Sequence, residues 1–253
     1  MSQEARTHHF TASDGVRLAW HELGEGRPVV LIHGYMSDAH TNWLRYGHAA
    51  KVAAAGRRVI MPDLRGHGAS ERPHDAAAYP PDILAVDGEA LVAHLGLTDY
   101  DLGGYSLGAR TTMRMLARGH VPAPGRVVFA GMGLEGLLDT QRRAGHFRDI
   151  LENLGSFERG SPKWMVEAFL KTTKGDPQAL LGILDTFVDT PRAAIEAVTQ
   201  PVLVLAGEED DDNGSHAELA ALLPDATLVE TPGGHMSCVI KPELGDALAD
   251  FLR

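Results

Sequence analysis

The sequence predicts an α/β protein with a doubly wound, mostly parallel sheet and a helical segment inserted into it. Three observations carry this. The runs "RPVVLIHG", "RRVIMPD", "YDLGGYS", "RVVFAGM" and "PVLVLAGEE" are short Val-, Ile- or Leu-rich stretches that end in Gly or Asp, the pattern of parallel strands buried on both faces. Between several of them lie segments suited to crossover helices: 81–95, 107–118 and 215–223. From 134 to 198 the strand signals vanish and helical spacing replaces them.

Taken in order, "HHFTASDGVRLAWHEL" places Asp14-Gly15 between two alternating runs, which predicts an antiparallel hairpin at the sheet edge. The strand runs and crossover segments follow as far as the sixth strand, "RVVFAGM". In the insertion after it, Phe147, Ile150, Leu151 and Leu154 recur at i, i+3, i+4 and i+7, as do Leu180, Ile183, Leu184 and Phe187. The expected division is therefore a core of residues 1–133 and 199–253 and a helical cap of 134–198. A run "ATLVET" supplies a last strand before the C-terminal segment.

Bulk properties narrow the function. The chain has 253 residues, 44% of them hydrophobic and 23% charged, enough to bury a sizeable core. Its formal net charge of -11, without a Lys/Arg cluster, disfavours nucleic acid and anionic membranes as partners. The N-terminal "MSQEARTHHF" lacks the apolar core of a secretory signal, and no window has transmembrane length. One cysteine, Cys238, precludes an internal disulfide. A cytoplasmic location is expected, with oligomeric state open.

The chemistry centres on "DLGGYSLGAR", residues 101–110. Gly103 to Gly108 has the glycine spacing of a phosphate-binding P-loop, but Ala109 and Arg110 stand where Lys and Ser or Thr are required. Tyr105 occupies the position of the second glycine of a dinucleotide fingerprint. What remains is G-x-S-x-G, Gly104-Tyr105-Ser106-Leu107-Gly108, between strand and helix: the pattern of a nucleophile elbow. A serine hydroxyl needs a base and an acid that orients the base. The acidic turn "GEEDDDNG" and then His235 in "TPGGHMS", 25 residues beyond Asp210, supply candidates in that order.

With these motifs in register, the chain resembles the α/β-hydrolase superfamily from "VVLIHGYM" to "GGHMS". The resemblance also covers His33-Gly34 and the loop "DLRGHGAS", with Asp63, Arg65, Gly66, Gly68 and Ser70 in the family positions. It implies Ser106 as nucleophile, His235 as base and Asp210, three residues after Gly207, as orienting acid. Asp212 is next in the run 208–212, and Glu135 is a more remote substitute. Backbone N–H groups of Tyr35 and Leu107 would form the oxyanion hole. The expected pocket comprises Met36, Tyr105, Met132, Trp164, Phe187 and Met236. The loop reads "HGYM" and not His-Gly-Gly-Gly, which gives a lipase little support, and serine at 106 argues against dehalogenases and epoxide hydrolases that need aspartate there. His67 and Arg65 are expected to buttress a loop, and Cys238 to be a small buried residue.

The activity implied is a cofactor-independent, metal-independent serine hydrolase acting on a small ester, lactone or thioester. Two alternatives share these residues: a carbon–carbon bond hydrolase or lyase on the same fold, since "GYSLG" resembles the elbow of the menaquinone-pathway lyase, and a non-catalytic protein that holds a ligand in the pocket.

Overall fold

The computed structural model describes residues 4–253; the first three residues of the expected core segment lie outside it. Eight strands form one sheet: β1 (Arg6–Thr11), β2 (Arg17–Leu23), β3 (Arg27–Ile32), β4 (Arg57–Pro62), β5 (Asp101–Tyr105), β6 (Val127–Ala130), β7 (Val202–Gly207) and β8 (Ala226–Thr231). Their spatial order is β1-β2-β4-β3-β5-β6-β7-β8. β1 and β2 pair antiparallel through the Asp14-Gly15 turn, and β2 pairs antiparallel with β4. All remaining pairings are parallel.

The central strands show why the sequence ran apolar without alternation. Every residue of β5, β6 and β7 is buried, because helices cover both faces. One face packs against α1 (His48–Ala54) and, at the chain end, α10 (Pro242–Leu252). The other receives α2 (Ile83–His94), α3 (Leu107–Arg118) and, later, α9 (His216–Leu222).

Between β6 and β7 run α4 (Leu134–Leu138), α5 (Thr140–Glu152), α6 (Pro162–Thr172), α7 (Pro177–Asp185) and α8 (Arg192–Glu196). Ser161-Pro162 and Asp176-Pro177 start α6 and α7: the Ser161 and Asp176 side chains accept from the first free N–H groups, and proline fits the first turn. Both hydrophobic quartets overran their helices. Leu154 lies past the end of α5, where Asn153 and left-handed Gly155 (φ 85°) turn the chain, and Phe187 lies past the end of α7.

Strand order positions the site. The chain leaves β3 toward β4 on one side and then crosses to β5 on the other, so the carboxyl ends of β3 and β5 flank a topological switch point. Ile32 pairs in register with Gly104, which brings the segments after β3 and β5 side by side.

Candidate active site

Ser106 follows β5 immediately and precedes the first residue of α3. Its backbone has φ 54° and ψ −110°, a conformation that costs a non-glycine residue on the order of 1–3 kcal/mol. The flanking glycines make the turn possible by sterics. A Cβ on Gly104 would lie 2.4 Å from the Gly108 carbonyl carbon, and one on Gly108 would lie 2.0 Å from the Ile32 oxygen. The elbow thus wedges the start of α3 against the end of β3.

The last two strands bring the other polar groups to this point. The amide of Glu209 donates to the Gly233 carbonyl and that of Asp210 to the Gly207 carbonyl, so the loops after β7 and β8 lie against each other. His235 Nδ1 is 2.9 Å from Asp210 Oδ2, and His235 Nε2 is 3.1 Å from Ser106 Oγ. With the ring proton on Nδ1, the imidazole donates to the carboxylate and accepts from the hydroxyl, the arrangement in which it can take the hydroxyl proton. Burial would raise the Asp210 carboxyl, but the hydrogen bond and charge of His235, with His216 behind, outweigh it and hold the group below its ordinary value. His216 Nε2 stands 3.7 Å from the same Asp210 oxygen.

The two substitute acids, Asp212 and Glu135, are engaged elsewhere. Asp212 accepts from Arg143 at 3.1 Å, and Glu135 accepts from the Ser215 amide at 2.8 Å. Among the acids considered in sequence, Asp210 is the one that meets His235.

Two backbone N–H groups remain unused beside Ser106. Neither the Tyr35 nor the Leu107 amide donates to another group within the described residues. The loop that carries Tyr35 is held on both sides: the Gly34 amide donates to Asn42 Oδ1 at 2.9 Å, and the amide of Met36 (φ 59°) donates to His67 Nε2 at 3.2 Å. A Cβ on Gly34 would already touch Ser106 Cβ at 3.5 Å, which shows how close this loop runs to the hydroxyl.

The buttress behind that loop is a buried polar cluster. Asp63 accepts from His21 and from the amides of Ala39 and Ala69. Burial would raise its carboxyl, but these bonds and the nearby histidines bring it to about 2. Burial pushes His67 down to about 3, so it stays neutral and accepts the Met36 amide. Arg65 forms a two-pronged pair with Asp87 at 2.7 and 2.8 Å. Gly68 is required here, since a Cβ would fall 2.2 Å from the Asp63 carboxyl carbon.

The pocket expected from sequence needs correction. Tyr105 does not line it: alternation along β5 turns its ring into the core beneath His235, where its hydroxyl donates to the His235 carbonyl and lies 3.1 Å from Cys238 Sγ. Met132 is fully buried among side chains of α3, α4 and α9. Met36 is buried in the loop after β3, while Met236, next to His235, is 51% exposed. Trp164 in α6 lies under Arg159, outside the aromatic group that forms over the site. That group is Tyr35 with Phe147 and Phe187, at ring separations of 4.8 and 6.5 Å. The Tyr35 hydroxyl donates to the Leu180 carbonyl of α7 at 2.8 Å, which ties the inserted helices to the loop after β3.

Sequence reading missed Asn42, Phe147 and Arg110 at this site. Arg110, one helical turn after Ser106, was noticed only as a departure from the P-loop pattern. Phe147 was recognised only as a helix-face residue.

A sequence model described as the alpha/beta hydrolase family matches residues 29–250. The chain belongs to the alpha/beta hydrolase family. It is 37% identical over 110 residues to a non-heme haloperoxidase of Rhodococcus erythropolis, covering 43% of this chain and 38% of that protein. It is 33% identical over 117 residues to a 2-hydroxymuconate semialdehyde hydrolase of Pseudomonas sp. (strain CF600), covering 46% of this chain and 40% of the relative. These matches span well under half the length of the curated relatives. The crystal structure of a hydrolase from Pseudomonas aeruginosa PA01 superposes with a TM-score of 0.72 at 26% identity, covering 98% of both chains. Among the described residues, no helix is long and apolar enough to cross a membrane.

Proposed function

We propose that this alpha/beta hydrolase is a cofactor-independent serine hydrolase that cleaves a small ester, lactone or thioester through an acyl-enzyme. The observation that carries the reading is the continuous chain Ser106 Oγ, His235, Asp210, with contacts of 3.1 and 2.9 Å.

In this mechanism Ser106 Oγ attacks the acyl carbonyl while His235 Nε2 takes its proton. Asp210 keeps the other ring nitrogen protonated and stabilises the imidazolium. The carbonyl oxygen, now negative, accepts from the Tyr35 and Leu107 N–H groups. The positive end of α3 favours that charge, and loss of one such donor costs on the order of a hundred- to a thousandfold in turnover. His235 returns the proton to the leaving group as the carbonyl re-forms. A water molecule, deprotonated by the same imidazole, then attacks the acyl-serine and frees Ser106. Residues 134–198 act as a cap over the core of 1–133 and 199–253, docked through Tyr35, Phe147 and Phe187.

The test is hydrolysis of p-nitrophenyl esters from acetate to dodecanoate beside Ser106→Ala. Turnover that peaks at one chain length and vanishes in the variant is expected. Turnover that survives Ser106→Ala unchanged would overturn the assignment. A second reading keeps the triad and changes the bond. It is favoured by the relative named 2-hydroxymuconate semialdehyde hydrolase, and cleavage of a dienoic diketone without ester turnover would select it.

A further inference from the structure

Three arginines are buried among the described residues: Arg57, Arg65 and Arg110. Arg57 pairs with Asp101 at 3.1 Å and Arg65 with Asp87 at 2.7 Å. Arg110 is 5% exposed and has no ion-pair partner among the described residues, in a protein whose formal net charge is -11. The charge of Asp189 favours this cation from beyond ion-pair distance while that of Arg143 opposes it, and a cation withdrawn from water without a direct partner is costly.

The protein satisfies only part of the side chain. Nε donates to the Gly136 carbonyl at 3.1 Å, and the guanidinium carbon sits 4.5 Å from the centre of the Phe187 ring. The two terminal nitrogens donate to no group among the described residues. Neither is among the unpaired polar atoms sealed from water, so each keeps some accessible surface. Burial pushes the group down to about 10, which leaves it cationic at neutral pH.

Its neighbours link that surface to the turn that follows Ser106, through Leu107, and to Tyr35, through Phe187. Arg110 is on α3, one turn after the serine, and its amide donates to the Ser106 carbonyl at 3.0 Å. Leu107, Arg110 and Phe187 line one crevice, whose only acid, Asp82, is already gripped by Arg114 at 2.7 and 2.6 Å. Phe187 meets Tyr35, Tyr35 meets Phe147, and the Arg143 guanidinium covers Phe147 at 4.8 Å. The aromatic group that meets Tyr35 thus carries one cation without an ion pair and a second, Arg143, whose ion-pair partner among the described residues is the half-exposed Asp212.

We propose that Arg110 anchors a free carboxylate on the substrate, so that the substrate class is an ester or thioester of an acid bearing a second carboxylate. This rests on the Ser106 hydrolase reading. The planar guanidinium fork offers the paired N–H groups that a carboxylate accepts.

The experiment compares kcat/KM for mono-p-nitrophenyl adipate, pimelate and suberate with the matched hexanoate, heptanoate and octanoate esters. It uses wild type, Arg110→Met and Arg110→Lys, with Ser106→Ala as blank. In at least one pair the wild type should prefer the half-ester by roughly ten- to a hundredfold, the worth of a charge-assisted hydrogen bond. Arg110→Met should bring that ratio close to one, and Arg110→Lys should keep part of it. A wild-type ratio at or below one at every length, or a ratio that Arg110→Met leaves unmoved, overturns the anchor while the hydrolase reading stands. No turnover above the blank for any ester overturns the hydrolase reading instead. Calorimetric binding of free adipate, pimelate and suberate to Ser106→Ala, with and without Arg110→Met, then decides the anchor: equal or absent binding in both overturns it.

Discussion

Gly108→Ala should damage the site without touching any polar group in it. The added Cβ would lie 2.0 Å from the Ile32 oxygen, 2.5 Å from the Ile32 carbonyl carbon and 2.8 Å from the His33 oxygen. All three are backbone atoms at the end of β3, so no side-chain rotation relieves the contact. Reaching even 3.0 Å from the nearest atom requires a retreat of about 1 Å (3.0 − 2.0), and the start of α3 must make it. Overpacking of this kind costs about 1–3 kcal/mol of stability. The same movement carries Ser106 Oγ from His235 and the Leu107 N–H from the developing oxyanion, and a displacement near 1 Å costs on the order of a hundredfold in rate. Gly145→Ala is the control: a Cβ there meets nothing within 4 Å, and the residue lies inside α5, where alanine is favoured over glycine by about 1 kcal/mol. Urea denaturation and p-nitrophenyl ester turnover measure the two effects. A Gly108→Ala protein with the wild-type midpoint and wild-type kcat would refute the steric account of the elbow.

Asp210→Asn should lower kcat by about a thousand- to ten-thousandfold, because the amide cannot hold the His235 proton on Nδ1 or balance the imidazolium. Asp212→Asn should change it by less than about threefold, and steady-state kinetics in which the two variants fall equally would show that the assignment within the run is wrong. The buried histidine His67 gives a pH dependence with a definite sign. Its folded-state value of about 3 lies below the ordinary 6.5, so between pH 6.5 and 3 the unfolded chain binds a proton that the native protein refuses. Stability should therefore fall as pH drops through that window, with His67 contributing up to about 1.4 kcal/mol per pH unit. Asp63 adds nothing until its own window below 3.8, where the stability from its depressed value is lost as pH falls toward 2. Denaturation midpoints should decline less steeply in His67→Gln than in wild type, and parallel slopes would discount His67.

The legible parts of the site were those set by neighbours in sequence. G-x-S-x-G could be read because its glycines flank the serine directly and Gly104 answers Gly108 four residues on, although the contact that Gly108 itself answers, with Ile32 at the end of β3, is distant in sequence. Helix α3 runs over Leu107–Arg118, the span its sequence suggested. The expected wall residues were less legible. Whether Tyr105 faced the substrate or the core depended on which face of β5 lay under His235, and burial of Met132 depended on how α4 and α9 met α3. The quartets ending in Leu154 and Phe187 showed helix faces correctly but not where the helices stop, because local turns end them.

By itself the sequence determined the alternation of buried strands and crossover helices, the insertion of helices after the sixth strand, and the strained serine at the end of β5. These follow from residue size, apolarity and backbone freedom over short stretches. The tertiary structure alone decided which carboxylate meets His235, that Tyr35 ties the inserted helices to the loop after β3, and that Arg110 is buried without an ion-pair partner among the described residues. Each of these depends on groups far apart in the chain, and hydrogen bonds and ion pairs of a few ångströms exist only once distant loops have been brought into register.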